Sequence, residues 1–172
     1  MKQLILIAAG MMLLTACSDK ALDTMPNDRY TEDSYWTSEK NVTAALTGCY
    51  AALRLEGVLG GDATVLWEET ATPNAYNYDD SRGFNSIALG TQTPTNAAII
   101  NSRWHDCNVG LGRCNDFLAK SPAVPMDNDL KARMTGEAKF LRALYYGMLE
   151  IYYGGVPLIT SGEIKVVDEE MH

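Results

Sequence analysis

Apolar residues recur at helical spacing in three stretches of the chain, with polar residues between them. The first stretch follows Ser38, a favourable helix cap, and extends to Gly57. The second begins at residues 93–94 (Thr-Pro), and the third extends from Asp127 to Tyr153. The pattern therefore predicts three long amphipathic helices and an all-α fold. The apolar positions are Val42, Ala45, Leu46, Cys49, Tyr50, Leu53, Ile100, Trp104, Cys107, Leu111, Cys114, Leu118, Leu130, Met134, Ala138, Leu141, Tyr145, Met148 and Tyr152.

The second and third predicted helices are joined by a short link that contains Pro122 and Pro125. Two antiparallel helices joined in this way form a helical hairpin, the unit of tetratricopeptide-type solenoids. Glycines at 154–155 end the third helix, and residues 156–160 have a strand-like composition. The end of the third helix is apolar nearly all round, which is typical of a helix buried on several sides. We therefore expect tetratricopeptide-like hairpins with long irregular loops, in a truncated domain that is marginally stable by itself.

A loop rich in turn-forming residues separates the first helix from the hairpin. After a short helix predicted for residues 63–71, residues 72–95 carry Pro, Asn, Asp, Gly and Tyr. A sugar site needs flat aromatic rings for stacking and polar groups around them. Trp67, Tyr76 and Tyr78 are candidates for the rings. The candidate polar groups are Asn74, Asn77, Asp79, Asp80 and Arg82. The alternative, which stays open, is that Asn and Asp shape the turns of the loop while Tyr anchors it.

Three cysteines lie on the apolar helical faces. Cys107 and Cys114 are seven residues apart on one predicted helix, so their α-carbons are roughly 10 Å apart, too far for a disulfide. We expect Cys49, Cys107 and Cys114 to be small buried apolar residues. A bridge from Cys49 to one of the other two stays open.

Residues suited to catalysis are few. The chain has two histidines, His105 and His172, and no Cys-x-x-Cys, His-Glu-x-x-His or glycine-rich phosphate loop. Neighbouring carboxylates such as Glu68 and Glu69 diverge by about 100° on a helix, which is unsuited to a glycosidase pair. We therefore expect no enzymatic activity, catalytic residue, metal site or cofactor. A surface glycosidase that uses Glu68 or Asp79 is the enzymatic alternative.

The N-terminus has the pattern of an export signal. Lys2 precedes an apolar run at residues 4–14, which is shorter than the roughly 20 residues of a membrane-spanning helix. Residues 14–17 (Leu-Thr-Ala-Cys) resemble a lipobox, so we predict a signal peptide at 1–16, lipidation of Cys17 and an extended leader at 17–30. Loss of Lys2 with the signal changes the net charge from −8 to −9, which disfavours binding to nucleic acid.

Several segments together resemble the SusD/RagB family of outer-membrane lipoproteins. The most specific is a Glu-Ala-x-Phe-Leu-Arg helix at 136–146 followed by a Gly-Val-Pro segment at 152–160. The other matching segments are residues 30–39, 44–53, 103–104 and 110–115. The resemblance covers residues 31–172 but only the N-terminal part of the family pattern.

This resemblance implies a non-catalytic protein at the outer membrane, attached by its lipid and facing the cell exterior. Family members bind oligosaccharides or peptides and deliver them to a SusC-type TonB-dependent transporter. The resemblance also implies that the predicted hairpin serves as the scaffold and as the face that contacts the transporter. The loop from Trp67 to Arg82 would then contribute to the ligand site. A helical adaptor without its own ligand site is the alternative function.

Overall fold

A computed structural model describes residues 32–61, 67–78, 81–95 and 98–161. The chain divides into two compact units, Met1–Tyr35 and Trp36–His172. Within the first unit, the described residues form the one-turn helix α1, Glu32–Tyr35. The predicted signal peptide, Cys17 and the leader lie outside the described residues.

The second unit is built from helices and irregular segments. Its α-helices are α2 (Glu39–Ala51), α3 (Phe84–Ala88), α4 (Ala98–Lys120) and α5 (Asn128–Tyr153). Two 3-10 turns (Ala52–Arg54 and Ser121–Ala123), a π-helical turn (Glu56–Gly60) and a helical turn at residues 67–70 complete the described helical structure. The described ranges contain no strand, which confirms the all-α prediction and shows that the strand expected at 156–160 is wrong. None of the described helices is long and apolar enough to span a membrane.

Helix ends encoded by neighbouring residues are confirmed by the structure. Ser38 caps α2, since its hydroxyl accepts a hydrogen bond from the backbone N–H of Asn41 at 3.3 Å. Asp127 caps α5 through the backbone N–H of Leu130 at 2.8 Å. Gly154 ends α5 with a φ of 74°, a left-handed value that favours glycine.

Two predicted helix boundaries are wrong. The first long helix ends at Ala51 and not at Gly57, because Leu55 is extended and the chain continues as the π-helical turn. The backbone N–H of Gly57 donates to Asp106 of α4 at 2.8 Å, so the turn packs tightly on that helix. Helix α4 begins at Ala98 and not at residues 93–94 as predicted, because residues 94–95 lie in a turn.

Helices α4 and α5 form the predicted antiparallel hairpin. The hydroxyl of Tyr153, at the end of α5, donates to the carbonyl of Ile100 at the start of α4. Arg142, in the middle of α5, donates to Asn115 near the end of α4 at 3.1 Å. The helices have 23 and 26 residues, which corresponds to about 35 and 39 Å.

Helix α2 packs on the hairpin and completes the main core. The core-facing residues of α5 are Met134, Ala138, Leu141, Tyr145 and Leu149, all buried. Those of α2 are Val42, Leu46 and Cys49. The hydroxyl of buried Tyr145 crosses α4 and donates to the carbonyl of Cys49 at 2.7 Å. Gly110 leaves room for this crossing, because a Cβ there would lie 2.6 Å from the ring of Tyr145.

Some apolar positions are more exposed than the helical pattern predicts. Cys49, Cys107 and Cys114 are buried, as expected, and no disulfide joins them. Trp104, however, is half-exposed and packs edge-on against Tyr153 at 5.2 Å between ring centroids. On the outer side of α5, Phe140 and Ile151 are 66% and 76% exposed. The end of α5 is therefore buried on fewer sides than predicted.

The segment after α5 is held against the hairpin through its backbone. The hydroxyl of Tyr146 accepts from the N–H of Ile159 at 2.6 Å and donates to its carbonyl at 2.8 Å. Asn115 donates to the same carbonyl at 2.8 Å, and Arg142 donates to that of Thr160 at 3.4 Å. The side chain of Leu158 stays 74% exposed.

Candidate ligand-binding site

Short-range hydrogen bonds fix the start of the loop at residues 71–78, which carries Tyr76 and Tyr78. The N–H of Ala71 donates to the carbonyl of Trp67 at 3.0 Å, and the N–H of Thr72 donates to that of Glu69 at 3.1 Å. The hydroxyl of Thr72 then accepts from the N–H of Asn74 at 3.2 Å. The loop thus leaves the helical turn at residues 67–70 along a defined path.

A paired hydrogen bond fixes the other end of the same loop. The side-chain oxygen of Asn85 accepts from the N–H of Asn77 at 3.0 Å, and its amide nitrogen donates to the carbonyl of Asn77 at 2.6 Å. Asn85 is buried in α3, the short helix that follows Gly83. The loop is therefore held to the body on both sides of Tyr76.

The pinned loop exposes two tyrosines. Tyr76 and Tyr78 flank Asn77, and their side chains are 80% and 100% exposed. Asn74, which offers an amide donor and acceptor, is exposed as well. Two free aromatic rings beside an amide are suited to bind a ligand with apolar faces and hydroxyl edges. The ligand-binding role of these three residues stays a prediction.

Trp67 lies inside the protein and not on the predicted binding surface. Its side chain is 6% exposed and packs against Tyr152, with 4.5 Å between ring centroids. The guanidinium of Arg103 lies 4.8 Å from the ring of Trp67 and 4.1 Å from that of Tyr152. Trp67 therefore has no free face for a sugar, contrary to the sequence-based expectation. Its position next to the loop makes it a support for the loop.

Arg103 lies between the rings of Trp67 and Tyr152. It is 1% exposed, and its Nε and Nη2 atoms have no hydrogen-bond partner. Attraction between the cation and the two aromatic faces offsets part of the cost of burying the charge. Burial and a hydrogen bond to Glu68 at 2.7 Å raise the pKa of Tyr152 to about 12, so its hydroxyl remains a donor at neutral pH.

The remaining candidate polar groups do not all join the exposed tyrosines. Arg82 forms an ion pair with Glu56, and its guanidinium lies 5.5 Å from the ring of Phe84. It is therefore engaged with the body of the protein. Asp79 and Asp80 lie outside the described residues. Within the described ranges, no group of three or more His, Cys, Asp or Glu side chains is arranged to hold a metal ion.

Arg103 and Asn85 were not predicted from the sequence to belong to this region. A signal for Arg103 was present, because Ile99, Arg103 and Cys107 are spaced four apart and so share one face of α4. A cation on an apolar face indicates a buried charge with special partners. No comparable signal exists for Asn85, whose role depends on contact with a loop eight residues away.

Together, these features define an all-α protein in which a helical hairpin supports a pinned loop with exposed aromatic rings. Comparison with known proteins gives a more particular result. The chain is 24% identical over 166 residues to a SusD-like protein of Formosa agariphila, and the match covers 96% of this chain and 31% of that protein. The resemblance inferred from the sequence is thereby confirmed, and the chain spans about a third of the relative's length. No family model and no solved structure matches the chain.

Proposed function

We propose that this chain is part of a surface-exposed lipoprotein that captures oligosaccharides and delivers them to a SusC-type TonB-dependent transporter. The observation that carries the proposal is the pair of exposed tyrosines, Tyr76 and Tyr78, on a loop fixed at both ends. The similarity to a SusD-like protein supports it. Peptide is the second ligand class that the resemblance implies.

The loop at residues 71–78 is already ordered before a ligand binds, and this favours binding. Fixing a flexible loop opposes association, so a loop already held by Asn85 and Thr72 loses less entropy when it binds. The net charge of −8 favours neutral over anionic ligands. In this proposal Tyr76 and Tyr78 stack on sugar rings and Asn74 bonds to hydroxyl groups. Asn77, Asp79 and Asp80 are further candidate hydrogen-bonding groups, whereas Arg82 is paired with Glu56.

Replacing both exposed tyrosines by alanine is expected to weaken oligosaccharide binding about 5- to 150-fold, since each aromatic contact contributes about 0.5–1.5 kcal/mol. Calorimetric titration of the full chain with neutral hexasaccharides of glucose, xylose and mannose measures this effect. Phe140→Ala is the matched control, because Phe140 is an exposed aromatic side chain on α5. Equal affinities for the double variant and the parent chain would refute the site, and an absence of glycan binding by the parent chain would refute oligosaccharide capture.

The outer side of the hairpin is the proposed face for the transporter. Phe140 and Ile151, which share one face of α5, are 66% and 76% exposed. Apolar side chains that are exposed on one face of a helix are available for contact with a partner protein. The same observation favours the alternative function, a helical adaptor that docks a partner and has no ligand site. The double tyrosine variant separates the two functions. An adaptor would still bind its partner protein with unchanged affinity when Tyr76 and Tyr78 are replaced.

The proposal places the protein at the outer membrane through Cys17. Lipidation of this residue after removal of residues 1–16 would attach the chain, with residues 17–30 as a leader, and more than one acyl chain makes the attachment stable. We expect Cys17→Ser to move the protein from the membrane fraction to the soluble fraction of cells that produce it. Ser18→Ala is the control and should leave the protein in the membrane fraction. Equal membrane retention of Cys17→Ser and the parent would contradict the anchor.

A further inference from the structure

Two buried cysteines from different helices face each other in the main core. Cys49 of α2 and Cys114 of α4 are each 0% exposed and belong to the same apolar cluster. Interaction between the two thiols lowers the pKa of Cys49 and raises that of Cys114, as expected of neighbours in this cluster.

Contacts on both sides fix this pairing. The guanidinium of Arg113, the residue before Cys114, donates to the carbonyl of Gly48, the residue before Cys49, at 2.9 Å. The hydroxyl of Tyr145 donates to the carbonyl of Cys49 at 2.7 Å, while its ring packs on Gly110, one turn before Cys114. The same residues therefore hold α2 and α4 in register at the two thiols.

The third buried thiol, Cys107, is too far from Cys114 to form a disulfide with it. Cys107 is two helical turns from Cys114, roughly 10 Å along α4, and a disulfide needs α-carbons closer than about 7 Å. Burial raises the pKa of Cys107 to about 11, so this thiol reacts slowly once the core has closed.

We propose that Cys49 and Cys114 form a disulfide that links α2 to α4 when the chain folds in the presence of a disulfide oxidant. In the first step one thiolate attacks the oxidant RSSR, giving a mixed disulfide and releasing RS⁻. The second thiolate then attacks the protein sulfur of that mixed disulfide and releases another RS⁻. The two cysteines lose two protons and two electrons in total, and RSSR is reduced to two RSH.

The folded core determines when this reaction occurs. Both thiols are inaccessible once α2 lies on α4, so the oxidant must act before the core closes. The structure, with its unbonded thiols, then describes the reduced form. In the oxidised form the bond would close a long loop between two helices, which restricts the unfolded chain most strongly when the loop is long.

Refolding of the full chain from denaturant tests the proposal. One sample is refolded with oxidised glutathione and another with dithiothreitol; both are then unfolded, alkylated and digested with trypsin. Trypsin separates the cysteines, because Cys49, Cys107 and Cys114 fall in peptides 41–54, 104–113 and 114–120. We expect peptides 41–54 and 114–120 to be joined in the oxidised sample only, with peptide 104–113 alkylated in both.

Thermal unfolding of the same samples provides the second measurement. We expect a Tm higher by about 10 °C in the oxidised sample, from the closed loop. Cys107→Ser should keep the joined peptides and the difference in Tm, whereas Cys114→Ala should lose both. Full alkylation of all three peptides after oxidative refolding, or a bond that includes peptide 104–113, would overturn the proposal. The peptide map of the parent chain decides this even where a variant fails to fold.

Discussion

Gly110→Ala is expected to destabilise the chain by about 2–3 kcal/mol, although alanine is a better helix former than glycine by about 1 kcal/mol. The added Cβ would lie 2.6–2.7 Å from three ring atoms of Tyr145. That ring is 0% exposed, and its hydroxyl is bonded to the carbonyl of Cys49. It can move away only by breaking this bond and disturbing α2, so the clash outweighs the gain in helix propensity.

Gly112→Ala is the matched control on the same helix. Gly112 is exposed in α4, and a Cβ there would meet nothing within 4 Å. This substitution should therefore be neutral or stabilise by up to about 1 kcal/mol through helix propensity alone. Chemical denaturation of both variants and the parent measures the free energies of unfolding. If the two variants prove equally stable, the close crossing of Tyr145 over Gly110 is wrong.

Arg103→Ala is expected to lower the free energy of unfolding by about 2–4 kcal/mol. The substitution removes a fully buried side chain from between Trp67 and Tyr152 and leaves a cavity. Loss of the two unpartnered donors, Nε and Nη2, offsets part of this cost. The loop after Trp67 should loosen, because the Trp67 ring loses one of the side chains that pack on it.

Arg103→Met separates volume from charge at this position. Methionine fills much of the same space and removes the buried charge, so we expect a loss of only about 1 kcal/mol. Denaturation gives the global effect, and hydrogen exchange of residues 67–78 gives the local one. If Met costs as much as Ala, the cation–aromatic contacts and not the packing volume dominate. If neither variant changes stability or exchange, Arg103 has no supporting role.

The sequence predicts those parts of the fold that depend on neighbouring residues. Ser38, Asp127 and Gly154 mark helix ends correctly because a cap needs only the adjacent turn of backbone. The core-facing stripe of α5 follows from helical spacing for the same reason. The early end of α2 could not be predicted, because Gly57 is placed by Asp106, 49 residues away in the chain.

The candidate site was predicted in part for a related reason. Exposed tyrosines in a turn-rich segment follow from composition, and Tyr76 and Tyr78 are exposed. An aromatic residue in such a segment can equally belong to the core, and composition alone does not distinguish the two. Trp67 is buried because Arg103 and Tyr152, from two other helices, enclose its ring. Only the tertiary arrangement shows this.

The two hydrogen bonds between the Tyr146 hydroxyl and Ile159 have a consequence for sequence variation. The hydroxyl contacts one backbone N–H and one backbone carbonyl, and neither bond involves the isoleucine side chain. The exposed side chains of residues 157–160 can thus vary during evolution while the path of the polypeptide away from the hairpin is retained, whereas Val156 packs against the main core. Proline at position 159 is the exception, because it would remove the backbone N–H that donates to the Tyr146 hydroxyl.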